Sequence, residues 1–269
     1  MRARGGYDMA TVVRTKQFEI SGVFRRMVTG TSAHWKVLLG IAVGVGTLLS
    51  IGTGWAMSIV LHSVIPKNPL SVLSMFTSPA YWLITAASVL LNGFALSAML
   101  GALLHPGDEN ELDFAAALTS GIRNVLPMIG LTLLWLGGIL LGYILLFIPA
   151  LLLVTMWSVS APSLVAEHTG VIGAFGRSRA LTKGIRWPIF GAILLFAIGY
   201  VFVALAFRGF SQPGTLDFFR TNTVSSFVVN LLSASLLGIL LSTFLAGLYG
   251  EVLEAKEGGS QNQLANVFA

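Results

Sequence analysis

Long runs without charged residues constrain the fold of this chain most strongly. Thirty uncharged residues separate Lys36 from Lys67, and 43 separate Arg123 from Glu167. A helix needs about 20 apolar residues to cross the roughly 30 Å hydrocarbon core of a bilayer. In lipid the backbone must also satisfy its own hydrogen bonds, which a helix does. The sequence therefore predicts an all-α integral membrane protein.

Six apolar stretches predict six membrane-spanning helices. The 43-residue run is too long for one span, and Pro149 near its middle predicts a tight hairpin between two. Charged residues make up 10% of the chain and hydrophobic residues 55%, which leaves too little charge for the surface of a soluble domain. We expect spans at residues 36–62, 80–104, 124–146, 149–167, 187–208 and 223–250.

The distribution of Lys and Arg predicts the orientation in the membrane. With six spans, all but three of the 16 basic residues fall on one side, the exceptions being Lys67, Arg208 and Arg220. Basic residues are enriched on the cytoplasmic side, so we expect both termini there, in a bacterial cytoplasmic (inner) membrane. The net charge of +5 then reflects topology and attraction to anionic lipid, and it does not indicate nucleic-acid binding.

Three regions follow from this topology: a cytoplasmic N-terminal segment (1–34), a six-helix membrane domain (35–250) and a cytoplasmic C-terminal tail (251–269). The opening MRARGG is not followed by an apolar stretch, so we expect no cleavable signal peptide. The first span is then expected to act as the uncleaved insertion signal. The absence of cysteine excludes disulfides and thiolate catalysis.

One octapeptide occurs twice, as ALTSGIRN at residues 117–124 and as ALTKGIRW at residues 180–187. Each copy ends a short amphipathic segment and leads into an apolar run. A weaker third copy, FEISGVFRRMVTGTSAHW (18–35), precedes the first span. We therefore expect three helical hairpins, each preceded by a cytoplasmic amphipathic helix. The octapeptide is the expected elbow, with Gly121 and Gly184 in the left-handed conformation that ends many helices.

Basic residues of these segments are expected to contact lipid head groups, and Trp35 and Trp187 are expected to anchor the chain at the interface. Alternatively, the elbows act only as topological anchors. The predicted head-group contacts are Arg25, Arg26, Arg123, Arg177, Arg179, Lys183 and Arg186.

Residues 161–195, APSLVAEHTGVIGAFGRSRALTKGIRWPIFGAILL, resemble the membrane domains of bacterial glycerophosphoryl diester phosphodiesterases, and the ending LYGEVLEAKEG resembles that family's closing segment. The resemblance implies a helical membrane module. It does not imply the hydrolase, because only 34 residues precede the predicted membrane domain and 19 follow it, too few for a catalytic barrel. The matching positions are Pro162, Glu167, Gly170, Ala174, Arg177, Ser178, Leu181, Thr182 and Gly184.

Glu167 and His168, where the fourth span ends, are conceivable as an acid–base pair. We favour a capping role, in which Glu167 and Thr169 stabilise the N-terminus of the next helix. Asn92, Ser158 and Ser160 are candidates for a polar cavity near Pro162. The alternative is that the asparagine bonds between helices and the serines satisfy carbonyls at a helix kink.

The acidic loop HPGDENELDF (105–114) has oxygen ligands for a hard cation, but acids also favour helix N-termini, and we predict no metal site. The predicted span cores hold no Asp, Glu, Lys or Arg, and the chain lacks His-Glu-x-x-His, Gly-x-Ser-x-Gly and P-loop motifs. We therefore expect neither enzymatic activity nor a cofactor.

The leading functional hypothesis is a non-enzymatic structural or accessory module that associates with lipids or with a larger membrane protein complex, homo-oligomers included. The alternative is a transporter or lipid-handling protein that uses the Asn92 and Pro162 region.

Overall fold

The computed structural model describes residues 17–64, 78–104, 114–145, 147–210 and 224–267. Within these ranges every regular element is a helix, as predicted from the composition. The helices are α1 (Ile20–Val64), α2 (Pro79–Leu104), α3 (Phe114–Leu145), α4 (Phe147–Met156), α5 (Ser160–Glu167), α6 (Gly170–Thr182), α7 (Arg186–Phe210) and α8 (Val224–Val267).

Five helical stretches in the described part of the chain are long and apolar enough to cross a membrane, which indicates a multi-pass membrane protein. The sixth predicted span, residues 36–62, lies within α1, but many of its side chains fall outside the described residues, and it stays a prediction. The five stretches are Pro79–Leu104, Phe114–Ile144, Pro149–Glu167, Arg186–Phe207 and Val228–Gly258.

The amphipathic segments do not form three separate surface helices. The first continues into the span as α1, with a kink at His34 (φ −114°, ψ 17°), one residue before Trp35. The second is continuous with its span, because α3 runs unbroken through the first octapeptide. Only the third forms a helix of its own, α6, among the residues that the structure describes. The expected equivalence of the three units is therefore not kept.

The two octapeptides differ at their glycines. Gly184 has a φ of +88°, and the chain turns there between α6 and α7 as expected. Gly121 is helical, so the expected left-handed conformation there is wrong. A Cβ atom at Gly121 would lie 2.7 Å from Cε2 of Phe94 and 3.0 Å from Cβ of Ala98. Gly121 therefore permits close packing of α3 on α2 and does not end a helix.

The fourth predicted span is broken. α4 ends at Met156, residues 157–159 form a turn, and α5 begins at Ser160. Pro162 lies in the first turn of α5, where the missing N–H has no helical partner to lose. Pro149 similarly lies in the first turn of α4, four residues after α3 ends at Leu145.

The first and last helices pack along each other, and α2 packs against both α1 and α3. Buried side chains such as Leu38, Leu100 and Leu248 fill these contacts. By contrast, only 17% of the apolar stretch of α3 and 11% of the apolar stretch of α7 are buried in the protein. Most of the surface of these two helices therefore lies on the outside of the bundle. Residues 251–267, expected as a tail, continue α8 as helix.

Candidate functional site

Polar side chains of four helices meet at one end of the bundle, in a cluster that we call the polar junction. The junction gathers the start of α1, the link between α5 and α6, and the end of α8. These are the segments that the predicted topology places on one side of the membrane. The polar junction consists of Arg26, Glu167, Arg177, Tyr249, Glu251, Glu254 and Glu257.

Arg177 of α6 lies between two carboxylates. Its Nε donates to Oε1 of Glu167 at 2.8 Å, and its Nη2 lies 2.6 Å from Oε1 of Glu257. The hydroxyl of Tyr249 donates to the same oxygen of Glu167 at 2.7 Å. Burial by itself lowers the pKa of the Arg177 guanidinium, but its hydrogen bonds with the two carboxylates outweigh this effect and raise that pKa. The charged arginine therefore ties α5, α6 and α8 together.

A second ion pair joins the first and last helices. Nε of Arg26 donates to Oε2 of Glu251 at 3.0 Å, and Nη2 of Arg26 contacts Glu254. The Glu251 side chain is 0% exposed, and its Oε1 accepts from the backbone N–H of Glu19 at 3.4 Å. Gly22 leaves room for this carboxylate, because a Cβ atom there would lie 2.6 Å from the carboxyl carbon. Since a buried carboxylate is costly unless it is paired, these contacts fix where α1 crosses α8.

The break between α4 and α5 frees a backbone carbonyl that α6 satisfies. Oγ of Ser178 donates to the Met156 carbonyl at 2.8 Å, and Oγ1 of Thr182 lies 3.4 Å from the same oxygen. Both hydroxyl residues are fully buried, as is nearly all of Leu181. The Arg-Ser-x-x-Leu-Thr stretch that begins at Arg177 therefore docks α6 onto the broken span.

The end of α8 also holds the end of α6. Nζ of Lys256 donates to the backbone carbonyl of Lys183 at 2.6 Å. Lys183 is the C-cap residue of α6, where a cation stabilises the free carbonyls of a helix end. One short stretch of α8 thus contacts α1 through Glu251 and Glu254, and α6 through Lys256 and Glu257.

Two of the predicted head-group cations, Arg26 and Arg177, form ion pairs with carboxylates of the protein. Their positive charge is therefore already compensated within the protein. Arg186 is partly exposed, but its Nε is buried and has no hydrogen-bond partner in the described part of the chain. The remaining four are exposed: Arg25, Arg123, Arg179 and Lys183.

Both predicted interface tryptophans have exposed rings. Trp187 is 84% exposed and Trp35 is 52% exposed. Trp187 packs edge-to-face against Phe190 with ring centroids 6.3 Å apart, and Nζ of Lys36 lies 5.8 Å from the centroid of Trp35. Their role as anchors at the membrane surface stays a prediction.

Glu167 and Thr169 make none of the expected capping hydrogen bonds in the described structure. Thr169 occupies the N-cap position of α6, but its side chain makes no capping hydrogen bond. Glu167 is the last residue of α5, and its carboxylate binds Arg177 and Tyr249. The link turns through left-handed conformations at His168 (φ 50°) and Gly170 (φ 72°). This turn folds α6 back on α5 and brings Arg177 to Glu167.

Within the described residues, no hydrogen bond joins the three candidate polar-cavity residues, Asn92, Ser158 and Ser160, to one another. Asn92 is exposed on the outside of α2, and its Nδ2 donates to the Ser88 carbonyl of the same helix at 2.8 Å. Ser158 and Ser160 donate to backbone carbonyls three residues earlier, at 2.9 and 2.7 Å. The serines therefore fit the alternative in which hydroxyls satisfy carbonyls at a helix break.

The acidic loop considered for cation binding, residues 105–113, lies outside the described residues. Among the residues that the structure does describe, no group of three His, Asp or Glu is placed to hold a metal ion.

The sequence analysis missed the end of α8, which it assigned to a tail. Glu251, Glu254 and Glu257 follow the last apolar run at a spacing of three. Such spacing places them along one face of a continued helix, and this signal was available in the sequence. Their partners, Arg26 and Arg177, are far away in the chain and carried no comparable signal.

The described fold is that of a multi-pass helical membrane protein whose charged groups at one end join its helices. No protein-family model matches the chain, and it has no significant match among curated proteins or solved structures.

Proposed function

We propose that this protein is a non-enzymatic structural or accessory module of the bacterial cytoplasmic membrane, which associates with lipids or with a larger membrane protein complex. This proposal rests on the hydrogen bonds that Glu167 forms within the protein. A general acid or base must exchange a proton with its substrate. The carboxylate of Glu167 instead accepts hydrogen bonds from Arg177 and Tyr249 and joins three helices.

The outer face of α7 supports the same function. Only 11% of the apolar window of this helix is buried, and Phe202 is 75% exposed. Lipid chains or an apolar helix of another subunit, including a second copy of this chain, suit such a face.

The resemblance to glycerophosphoryl diester phosphodiesterase membrane domains also fits a module without chemistry of its own. Arg177, Ser178 and Thr182 each bond within the bundle, and Gly184 turns the chain between α6 and α7. In our proposal, the residues that resemble this family serve to dock α6 onto the broken fourth span.

Photo-crosslinking tests the proposal directly. A photoreactive phenylalanine analogue at Phe202 should crosslink to lipid or to a discrete protein in membranes. The same analogue at Phe244, which is 3% exposed, should crosslink only within the chain. Two results found together would contradict the proposal. The purified, reconstituted chain would transport or hydrolyse a substrate, and Glu167→Gln would abolish that activity without changing thermal stability.

The broken fourth span favours a transporter as the second candidate, because discontinuous helices form substrate sites in many transporters. Here, however, the Met156 carbonyl that the break frees already accepts hydrogen bonds from the hydroxyls of Ser178 and Thr182. The chain has no cysteine, so Ser160→Cys would introduce a unique thiol. We expect a membrane-impermeant maleimide not to label it, whereas Lys183→Cys, on an exposed position, should be labelled. Labelling at position 160 would favour the transporter.

A further inference from the structure

The two octapeptides share most of their residues but adopt different backbone conformations. In the first copy, α3 continues through Arg123 without interruption. In the second, α6 ends at Thr182, the chain turns at Gly184, and α7 begins at Arg186. A positively charged residue thus stands at the N-terminus of a 25-residue helix in the second copy only, where anions are favoured.

Positive charge at this turn exceeds the negative charge that the described residues place beside it. Arg177 is neutralised by Glu167 and Glu257. Arg179, Lys183 and Arg186 form no ion pair with any described acidic residue. We call these three residues the basic elbow.

The basic elbow also offers unsatisfied hydrogen-bond donors. Arg179 and Lys183 are exposed. Nε of Arg186 is buried and lacks an acceptor among the described residues. The ammonium group of Lys256 lies 3.6 Å from the position that a Cβ atom at Gly184 would take, which adds a further positive charge nearby.

The position of the elbow matches the depth of lipid head groups. Trp187, 84% exposed, follows Arg186 directly and begins the apolar stretch of α7, of which 11% is buried. Tryptophan at the end of an apolar helix is typical of the interface between head groups and acyl chains.

We infer that the basic elbow binds the phosphate head group of an anionic glycerophospholipid. This inference rests on the proposed lipid association and makes it specific: the second octapeptide binds the head group, and the first does not form an equivalent site. Arg186, which is partly exposed, donates from its guanidinium to the phosphate, and Arg179 and Lys183 bind the remaining phosphate oxygens as exposed cations.

The test uses the full chain in nanodiscs that contain equal amounts of phosphatidylglycerol and phosphatidylcholine, followed by native mass spectrometry of the lipids retained on the released protein. The variant is Lys183→Gln/Arg186→Gln. The matched control, Lys16→Gln/Lys36→Gln, removes the same charge from two basic residues that lie outside the elbow and are not among the predicted head-group contacts. We expect the elbow variant to lose about tenfold or more of the wild-type preference for phosphatidylglycerol, and the control to stay within about twofold.

Two further results support the inference. Arg186→Lys should keep part of the preference, because it keeps the charge but loses the planar guanidinium fork. High salt should weaken the preference of the wild type, because salt screens charge pairs at an exposed surface.

Equal losses in the elbow variant and the control would overturn the inference, since they would indicate general attraction to an anionic surface. Equal retention of the two lipids by the wild type would also overturn it, while leaving the proposed accessory function intact. Failure to retain any lipid would contradict lipid association altogether. Should the double variant not fold, as judged by its melting temperature, Arg179→Gln compared with Lys36→Gln, also at an exposed position, decides the question in the same way.

Discussion

Glu167 joins helices that are far apart in the sequence. Its single oxygen Oε1 accepts from Arg177 at 2.8 Å and from Tyr249 at 2.7 Å. The side chains of Glu167 and Arg177 are 25% and 28% exposed, so water screens this pair only in part. Hydrogen bonds to charged groups contribute more than neutral ones, and the contact is therefore expected to stabilise the packing of α5, α6 and α8.

Replacing Glu167 with Gln should lower the free energy of unfolding by about 2 kcal/mol, because it removes the charge that Arg177 faces while keeping the size of the side chain. Thermal unfolding in detergent, followed by the loss of monodisperse protein, measures the effect. Glu19→Gln is the control, because Glu19 is exposed and its side chain forms no ion pair in the described structure. An unchanged melting temperature together with lost activity would instead indicate a catalytic carboxylate.

Gly22 is predicted to tolerate no side chain. A Cβ atom there would lie 2.6 Å from the carboxyl carbon of the buried Glu251, so Gly22→Ala should displace the carboxylate from Arg26 and cost about 1–3 kcal/mol. Gly44→Ala is the matched control in the same helix, because nothing lies within 4 Å of its added Cβ, and it should be neutral or slightly stabilising. Melting temperatures that fall equally for both variants would contradict the predicted clash.

At the scale of helices, the repeated octapeptide shows what a local sequence does and does not determine. Helix identity followed from the apolar runs, and three predicted spans, 80–104, 149–167 and 187–208, lie within one residue of an observed apolar helical stretch. The conformation of the octapeptides did not follow, because it depends on distant partners. Gly121 packs against Phe94 and Ala98 in α2 and stays helical, whereas a Cβ atom at Gly184 would have Nζ of Lys256 as its nearest neighbour, at 3.6 Å, and Gly184 adopts the left-handed turn.

Substituting asparagine at the two octapeptide glycines should separate these roles. Asparagine tolerates the left-handed conformation, so Gly184→Asn should cost about 1 kcal/mol or less. Gly121→Asn should cost more, because its Cβ would meet the Phe94 ring at 2.7 Å and force α2 and α3 apart. Melting temperatures of the two variants measure the difference. A larger loss at Gly184 than at Gly121 would contradict the predicted clash of a Gly121 side chain with Phe94.

The candidate site illustrates the same limit. The sequence marked Glu167 and Arg177 as noteworthy but assigned one to capping and the other to lipid, since their contact depends on how α6 folds back on α5. The pairing of Arg26 with Glu251 depends on α1 crossing α8, and the two residues are separated by almost the whole chain. Local spacing shows which residues share a helix face, but it does not show which distant helix that face meets.

At the scale of the whole molecule, the polar junction brings three segments of the chain to one end of the bundle. They are the start of α1, the segment from Glu167 to Arg186, and the end of α8. An ion pair between segments on opposite sides would require charged groups in the hydrocarbon core, which is costly. These contacts therefore favour a topology in which the three segments share a side, and the six-span arrangement itself stays a prediction.

The orientation of that end is the last prediction. All but three of the 16 basic residues fall on the side of the junction in this topology, so the junction and both termini should be cytoplasmic. Because the chain has no cysteine, Arg25→Cys and Arg123→Cys should each react with an impermeant maleimide in inverted membrane vesicles and not in spheroplasts. Arg208→Cys, on the opposite side, should show the reverse pattern. A fluorescent protein fused after residue 269 should fluoresce, and alkaline phosphatase fused there should be inactive. Active phosphatase at that position, together with labelling of Arg25→Cys from the cytoplasmic side, would contradict the six-span count, because an odd number of spans is what places the two ends on opposite sides.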